Sequence, residues 1–231
     1  MAFIHSPQIV TNGLVVYTDA ANTKSLVSGS STWRDLSGNG KNGGAGAGAT
    51  WGSQNGGVVN FNGVSSYVSF GTGNTFFPLT NLTIDLWFQS KGTVATTGTV
   101  PGLFGFTYGV RTYFGTANSI SFSVSTGSTS QFLTYTHPSN FRDDGLWYNI
   151  AFQATPTNTY MYLNGELKTS RSVTWLGNTI WPADTWNLAR DNNNAYQYFT
   201  GSMASYKMYN RALSAQEVLQ NYNATKGRFG L

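Results

Sequence analysis

Residues 199–224, FTGSMASYKMYNRALSAQEVLQNYNA, decide the fold class. They read as a last β-strand, a tight bend and one short helix whose start is fully signalled. Ser214 and Glu217 have the S-x-x-E spacing of a capping box, in which each side chain satisfies a backbone N–H that the first turn leaves without a partner. Leu213 stands one residue before the cap and Val218 four residues into the helix, the positions of a hydrophobic staple. Val218, Leu219 and Tyr222 then predict one apolar stripe at helical spacing. The strand before the bend predicts that this helix folds back over a sheet edge.

Upstream, strand signals recur with turn signals between them. Residues 14–17 (LVVY) form a first short strand, and 58–61 and 67–70 flank Asn62-Gly63 as an expected hairpin. Leu82, Ile84, Leu86 and Phe88 alternate with Thr83, Asp85 and Trp87, the period-2 pattern of a half-buried strand. Ile120, Phe122 and Val124 alternate with serines, and Tyr148, Ile150 and Phe152 line one face of the next strand. Residues 160–163 run into Asn164-Gly165, where a type I′ turn needs two residues that tolerate positive φ. Residues 186–190 and 199–209 complete the set. Residues 38–57 and 91–102 are expected to be long surface loops. No linker or repeat divides the chain, so the expectation is a short N-terminal arm (1–13) and a single domain (14–231). A long run of strands closed by one helix predicts an all-β, two-sheet antiparallel sandwich.

Composition agrees. Only 10% of the residues are charged while 15% are aromatic and 27 are glycine, which suits stacked sheets and argues against a helical bundle or a disordered chain. The net charge of +4 is spread thinly, with Lys226 and Arg228 near Arg211 as the one basic cluster. Nucleic-acid binding needs a stripe that neutralises several phosphates, so no nucleic-acid partner is expected. No apolar run reaches the length of a membrane span, so no membrane insertion is expected. Without cysteine there are no disulfides or thiolate metal sites. The opening MAFIHSPQIV has no basic stretch followed by a long apolar run, and reads as a mature start made in a cytoplasm.

An ordered set of segments carries a family resemblance: WRDLSGNG (33–40), VNFNG (59–63) with Tyr67-Val68, 82–88, GLWYNIA (145–151), YMYLNG (160–165), and Phe199-Thr200-Gly201 through 209–214. Together they are similar to the laminin-G-like, concanavalin A-like sandwich family, over about residues 14–224. The resemblance implies a jelly-roll sandwich. The opening, from His5-Ser6-Pro7 through Gly13-Leu14-Val15 to 19–22, also resembles a subgroup found as virion structural proteins of tailed bacteriophages. That implies a virion-surface protein, a capsid decoration or tail adhesin component, with other virion proteins as partners; self-association is expected separately, because uncharged β surfaces rich in Tyr and Thr make good interfaces. Relatives often carry an acidic pair where this chain has Ala204-Ser205, so no role of those acids carries over.

The same architecture hosts glucanases, which need two carboxylates on one site. The two glutamates, Glu166 and Glu217, have structural explanations, Asp143-Asp144 are adjacent and would diverge on a strand, and no strand carries an acid-x-acid pair. His5 and His137 serve no nucleophile motif. No catalytic residue is expected. For structural Ca2+, Asp35, Asn39 and nearby Asp19 offer hard oxygen ligands; the alternative is an Asx turn that stabilises its own backbone. For host glycans, Asn192, Asn193 and Asn194 followed by Tyr196 and Tyr198 offer amides beside aromatic faces, with Trp175 and Trp181 next. The alternative is that these rings fill the core. A virion-surface structural protein is therefore expected first, and a glycan-binding lectin second.

Overall fold

The computed structural model describes residues 8–27, 29–72, 80–91, 101–105, 109–115, 118–125, 129–141, 143–175, 185–191 and 197–231. In chain order the strands are β1 (Leu14–Asp19), β2 (Thr32–Trp33), β3 (Gly43–Ala45), β4 (Thr50–Gly52), β5 (Val58–Asn62) and β6 (Val68–Thr72). There follow β7 (Leu82–Ser90), β8 (Phe104–Gly105), β9 (Val110–Phe114), β10 (Ser119–Ser125), β11 (Ser130–Thr136) and β12 (Tyr148–Ala154). The last are β13 (Asn158–Leu163), β14 (Glu166–Ser172), β15 (Thr185–Leu188), β16 (Arg190–Asp191), β17 (Gln197–Tyr198) and β18 (Thr200–Tyr209). Helix α1 (Ala215–Thr225) and a 3-10 turn (Lys226–Phe229) close the chain.

One sheet has the order β14-β13-β12-β7-β18-β5-β4, with β1 beside β5 along the same edge of β18. The other runs β11-β10-β9-β8-β15-β6-β3-β2, and β16-β17 form a separate ribbon. Every pairing is antiparallel, as the sandwich expectation requires. Between the sheets lies an aromatic core. Phe152 of the first sheet meets Phe104 and Phe122 of the second at 5.5 and 5.1 Å between ring centroids, and Phe70 meets Tyr206 at 5.3 Å. These offset and edge arrangements suit the ring quadrupoles better than face-to-face stacking.

The helix is where the sequence placed its start but not where it placed its seat. The capping box is complete, with the Ser214 hydroxyl accepting from the Glu217 N–H and the Glu217 carboxylate accepting from the Ser214 N–H. Leu213 and Val218 are both buried in one cluster with Tyr209, so the staple is closed. The helix lies across the outer face of the first sheet, not over its edge. Trp87 of central β7 stacks beneath Tyr222 and Phe229, at 5.7 and 4.1 Å. Strand β7 is therefore covered on both faces; Thr83, Asp85 and Trp87 are fully buried, which corrects the half-buried reading. The inward stripe is also half polar: Val218 and Asn221 are buried, while Leu219 is 43% exposed.

Two turns show why a dipeptide signal is not enough. Asn164 and Gly165, at φ 52° and 81°, form the expected hairpin between β13 and β14. Asn62-Gly63 does not form one, because β5 belongs to the first sheet and β6 to the second. Its turn is instead a crossing between layers, held by the Asn62 side-chain oxygen accepting from the N–H groups of Val64, Ser65 and Ser66. The glycine-rich stretch 38–57 is likewise not all loop. It supplies β3 and β4 at the sheet margins, where a Cβ on Gly43 would stand 2.5 Å from the Val68 side chain. The expected loop at 91–102 falls largely outside the described residues.

The N-terminal segment is tied down from residue 8. The Val10 N–H donates to the Asn221 side-chain oxygen at 2.8 Å, and the Tyr209 hydroxyl donates to the Val10 carbonyl at 3.0 Å. Gln220 and Arg211 donate to the carbonyls of Gln8 and Asn12. Val10 itself is buried beside Leu213 and Val218.

Candidate ligand-binding surface

Strand β15 leaves the second sheet through Ala189, a buried residue at φ 61°. An L-residue in this left-handed region costs about 1–2 kcal/mol. The bend is held by two backbone bonds: the Ala189 N–H donates to the Leu103 carbonyl and the Ala189 carbonyl accepts from the Phe199 N–H. Beyond it β16 and β17 pair in register, Arg190 opposite Tyr198 and Asp191 opposite Gln197. Phe199 anchors the ribbon in the core, stacked on Phe114 and edge-on to Phe61. Its neighbour Tyr198 is half-buried and meets the ring of half-buried Tyr67 at 6.5 Å. The Arg190 guanidinium carbon stands 4.8 Å from the Tyr67 ring centroid and 5.8 Å from that of Tyr198. Two rings and a guanidinium thus form one cluster at the base of the ribbon. Such a cluster sets partly exposed ring faces beside a guanidinium, the kind of surface on which the C–H faces of a sugar can rest.

Of the expected glycan residues, the structure places Tyr198 in this cluster and Trp175 elsewhere. Trp175 is fully buried in the main core, its backbone N–H bonded to the Pro156 carbonyl, so it presents no open ring face. That corrects its assignment to a platform: its indole fills the sandwich. Asn192, Asn193, Asn194, Tyr196 and Trp181 lie outside the described residues. Sequence reasoning missed Tyr67 and Arg190, which come from segments distant in the chain; the tyrosine immediately before a strand was the one signal at hand.

The expected calcium residues do not fit a cation. One Asp35 oxygen accepts from the N–H groups of Tyr17 and Ser37, and the other from the Ser37 hydroxyl and the Lys41 N–H. A carboxylate fully engaged by donors ties a loop to β1. It is not left to ligate Ca2+. Asn39 turns its amide nitrogen inward to the carbonyls of Leu14 and Val15, where a metal would need its oxygen. Asp19 is paired with Arg228 at 2.7 Å and also accepts from the Ala21 N–H and the Tyr17 hydroxyl. Among the described residues no group of three acidic, histidine or cysteine side chains could hold a metal.

Four further carboxylates among the described residues are committed in the same way. Asp85 is paired with Lys207, Glu166 with Lys168 and Glu217 with Arg211, and Asp144 accepts from the Tyr148 hydroxyl and the Leu146 N–H. Arg211, together with the capping bonds, holds the Glu217 carboxyl down at about 2, well below the usual carboxylate range. No helix among the described residues is long and apolar enough to cross a membrane.

Several solved structures share the architecture. The binding domain of botulinum neurotoxin DC, in a complex with rat synaptotagmin II, superposes with a TM-score of 0.74 at 11% identity over 94% of this chain and 52% of that one. The same domain in a complex with SialylT gives 0.71 at 11%, over 94% and 52%. The binding domain of Paraclostridial Mosquitocidal Protein 1 gives 0.70 at 15%, over 93% and 52%. This chain thus spans about half the length of each, and at these identities the likeness is one of fold. Among curated proteins, none matches in sequence. The sequence profile of Laminin_G_3, described as concanavalin A-like lectin/glucanases superfamily, matches residues 61–219. That is more than half of the chain, which therefore belongs to this family.

Proposed function

We propose that this chain is a non-enzymatic surface protein of a phage virion, a capsid decoration or tail adhesin component that binds with a lectin-like sandwich. The observation that carries the non-catalytic part is the commitment of Asp19, Asp35, Asp85, Asp144, Glu166 and Glu217 to cations, hydroxyls and N–H groups that hold the fold. Hydrolysis of a glycosidic bond needs one carboxylic acid and one carboxylate aimed at the same bond. The structural neighbours include a binding domain seen in one structure with rat synaptotagmin II and in another with SialylT, which supports a binding module. The virion assignment is supported by the opening residues, His5-Ser6-Pro7 through Asn22, and their similarity to virion proteins. Other virion proteins and further copies of this chain are its partners on that reading. Immunogold labelling of intact particles, with a laminarin and lichenan turnover assay on the pure protein, tests it. Labelled particle surfaces and no turnover are expected; unlabelled particles or released sugar overturn it.

A second reading, binding of host glycans, is favoured by the Tyr67–Arg190–Tyr198 cluster at the base of the ribbon. It is compatible with the first. Saturable binding on a glycan array, lost on Tyr198→Ala with an unchanged melting temperature, is the expected result.

A further inference from the structure

A concavity that shares no residue with the ribbon cluster lies where the β13–β14 hairpin, the end of β11 and helix α1 meet. It has a volume of about 440 Å³, within the range of small-molecule sites. One wall carries the rings of Tyr135 and His137, and the helix contributes Tyr222. The turn beneath has no side chain at Gly165, where a Cβ would stand 3.0 Å from Leu219 and 3.1 Å from Tyr222. Leu219, at 43% exposure, is an apolar residue that the helix seats in this groove and not in the core.

The polar groups here are only partly used by the fold. The Asn164 oxygen accepts from the Asn149 N–H, which leaves its amide nitrogen as a donor. Asn223 on the helix is exposed, with both halves of its amide open to a ligand. Ser139 engages Nδ1 of His137, so Nε2 is the ring nitrogen left to meet a ligand. Glu166 and Lys168 neutralise each other at 2.6 Å. Lys226 has no carboxylate partner among the described residues; its ammonium stands 5.3 Å from the Tyr222 ring.

We propose that this groove binds a carboxylated sugar, of the uronic or sialic acid class, with Lys226 on the carboxylate, Asn164 and Asn223 on hydroxyls, and Tyr135 with Leu219 against the C–H face of the ring. One uncompensated cation suits one carboxylate per sugar; a nucleic acid or polyphosphate would need a basic stripe. Rings beside amides suit a pyranose, which has both apolar faces and hydroxyl edges. The inference shares only its ligand class with the glycan reading above, and its site is separate.

Titration calorimetry with digalacturonic acid and sialyllactose, and with lactose as the uncharged control, tests it. The acidic sugars bind the intact protein and lactose binds at least about tenfold more weakly, the size of one charge-assisted hydrogen bond. Lys226→Gln removes that difference, Tyr135→Ala weakens binding of the acidic sugars, and Tyr198→Ala changes neither. Acidic-sugar binding that survives Lys226→Gln and Tyr135→Ala but is lost in Tyr198→Ala overturns the groove and leaves the ribbon reading intact. Equal binding of a short poly-aspartate peptide overturns the sugar assignment. No binding of the acidic sugars overturns the groove proposal, while the ribbon reading is decided by the glycan array. Melting temperatures of the three variants separate loss of binding from loss of fold.

Discussion

Asp85 and Lys207 face each other across β7 and β18 as directly paired residues, 3.2 Å apart and both without solvent exposure. The same Asp85 carboxylate accepts from Asn149 at 2.9 Å and from Asn221 of the helix at 3.0 Å. Removing two charges from water is costly, and the pair persists because its remaining oxygen valences are filled. Breaking it from one side leaves an unpartnered buried charge. Asp85→Leu or Lys207→Met alone is therefore expected to cost about 3–5 kcal/mol in denaturant unfolding. The double variant Asp85→Leu with Lys207→Met should recover most of that loss. If the two single effects simply add, the charges do not act as a pair.

The staple at the helix entry gives a second expectation. Leu213 is buried with Tyr209 and Val218, and its N–H and carbonyl are bonded to Thr83 and Gln153. Truncation removes packing while the backbone bonds hold the site open, so collapse around the cavity is restricted. Leu213→Ala should destabilise by about 2–5 kcal/mol. An unchanged midpoint in urea would mean that the helix is not seated by this residue.

How far the sequence could be read depended on whether the signal was local. The Ser214–Glu217 box and the Asn164-Gly165 turn are decided within four residues, and both are where the sequence placed them. Asn62-Gly63 is the same kind of signal, but its flanking strands were claimed by different sheets, a choice made by distant partners. Asp85 sits in an apolar strand and Lys207 in the last strand, 122 residues apart. Neither alone announces a buried pair. The groove and the ribbon cluster were equally hidden, since Tyr135, Asn164 and Lys226, or Tyr67 and Arg190, meet only after folding.

The charge pair at the helix start predicts an acid-limb pH dependence. The Glu217 carboxyl is held at about 2 against an ordinary 4.5, first by Arg211. A depressed carboxyl contributes stability that is complete above about 4.5 and is lost as pH falls toward about 2. Glu217→Gln keeps a capping side chain but removes the ion pair. The melting temperature of the wild type should exceed that of this variant at pH 7, and the gap should close between pH 4.5 and 2. A gap that persists at pH 2 would assign the effect to packing.

Chelation provides a direct check on the loop at Asp35. With four donors on its two oxygens and the Asn39 amide nitrogen turned inward, the loop holds itself together. Excess EDTA should leave the melting temperature unchanged, and added Ca2+ should not raise it. A rise of several degrees with Ca2+ would show that the loop rearranges to ligate.

Asn221 joins three parts of the chain. Its oxygen accepts from the Val10 N–H, and its nitrogen donates to Asp85 and to the Tyr209 hydroxyl, all with the side chain fully buried. Burial, and then the nearby Asp85 charge, push the Tyr209 hydroxyl's pKa upward, which keeps it protonated as the donor to the Val10 carbonyl. Asn221→Leu conserves size but removes a partner from three groups; the Tyr209 hydroxyl keeps its bond to Val10, while the Val10 N–H and one Asp85 oxygen are left unpaired, each with a desolvation cost of about 1–3 kcal/mol. The variant should unfold at lower denaturant, and the Val10 amide should exchange with deuterium much faster than in the wild type. Truncation through residue 12 should produce the same loss of stability, because residues 8–12 belong to the sandwich's packing and not to a free arm. Wild-type stability after that truncation would show that the segment is docked without contributing to the fold.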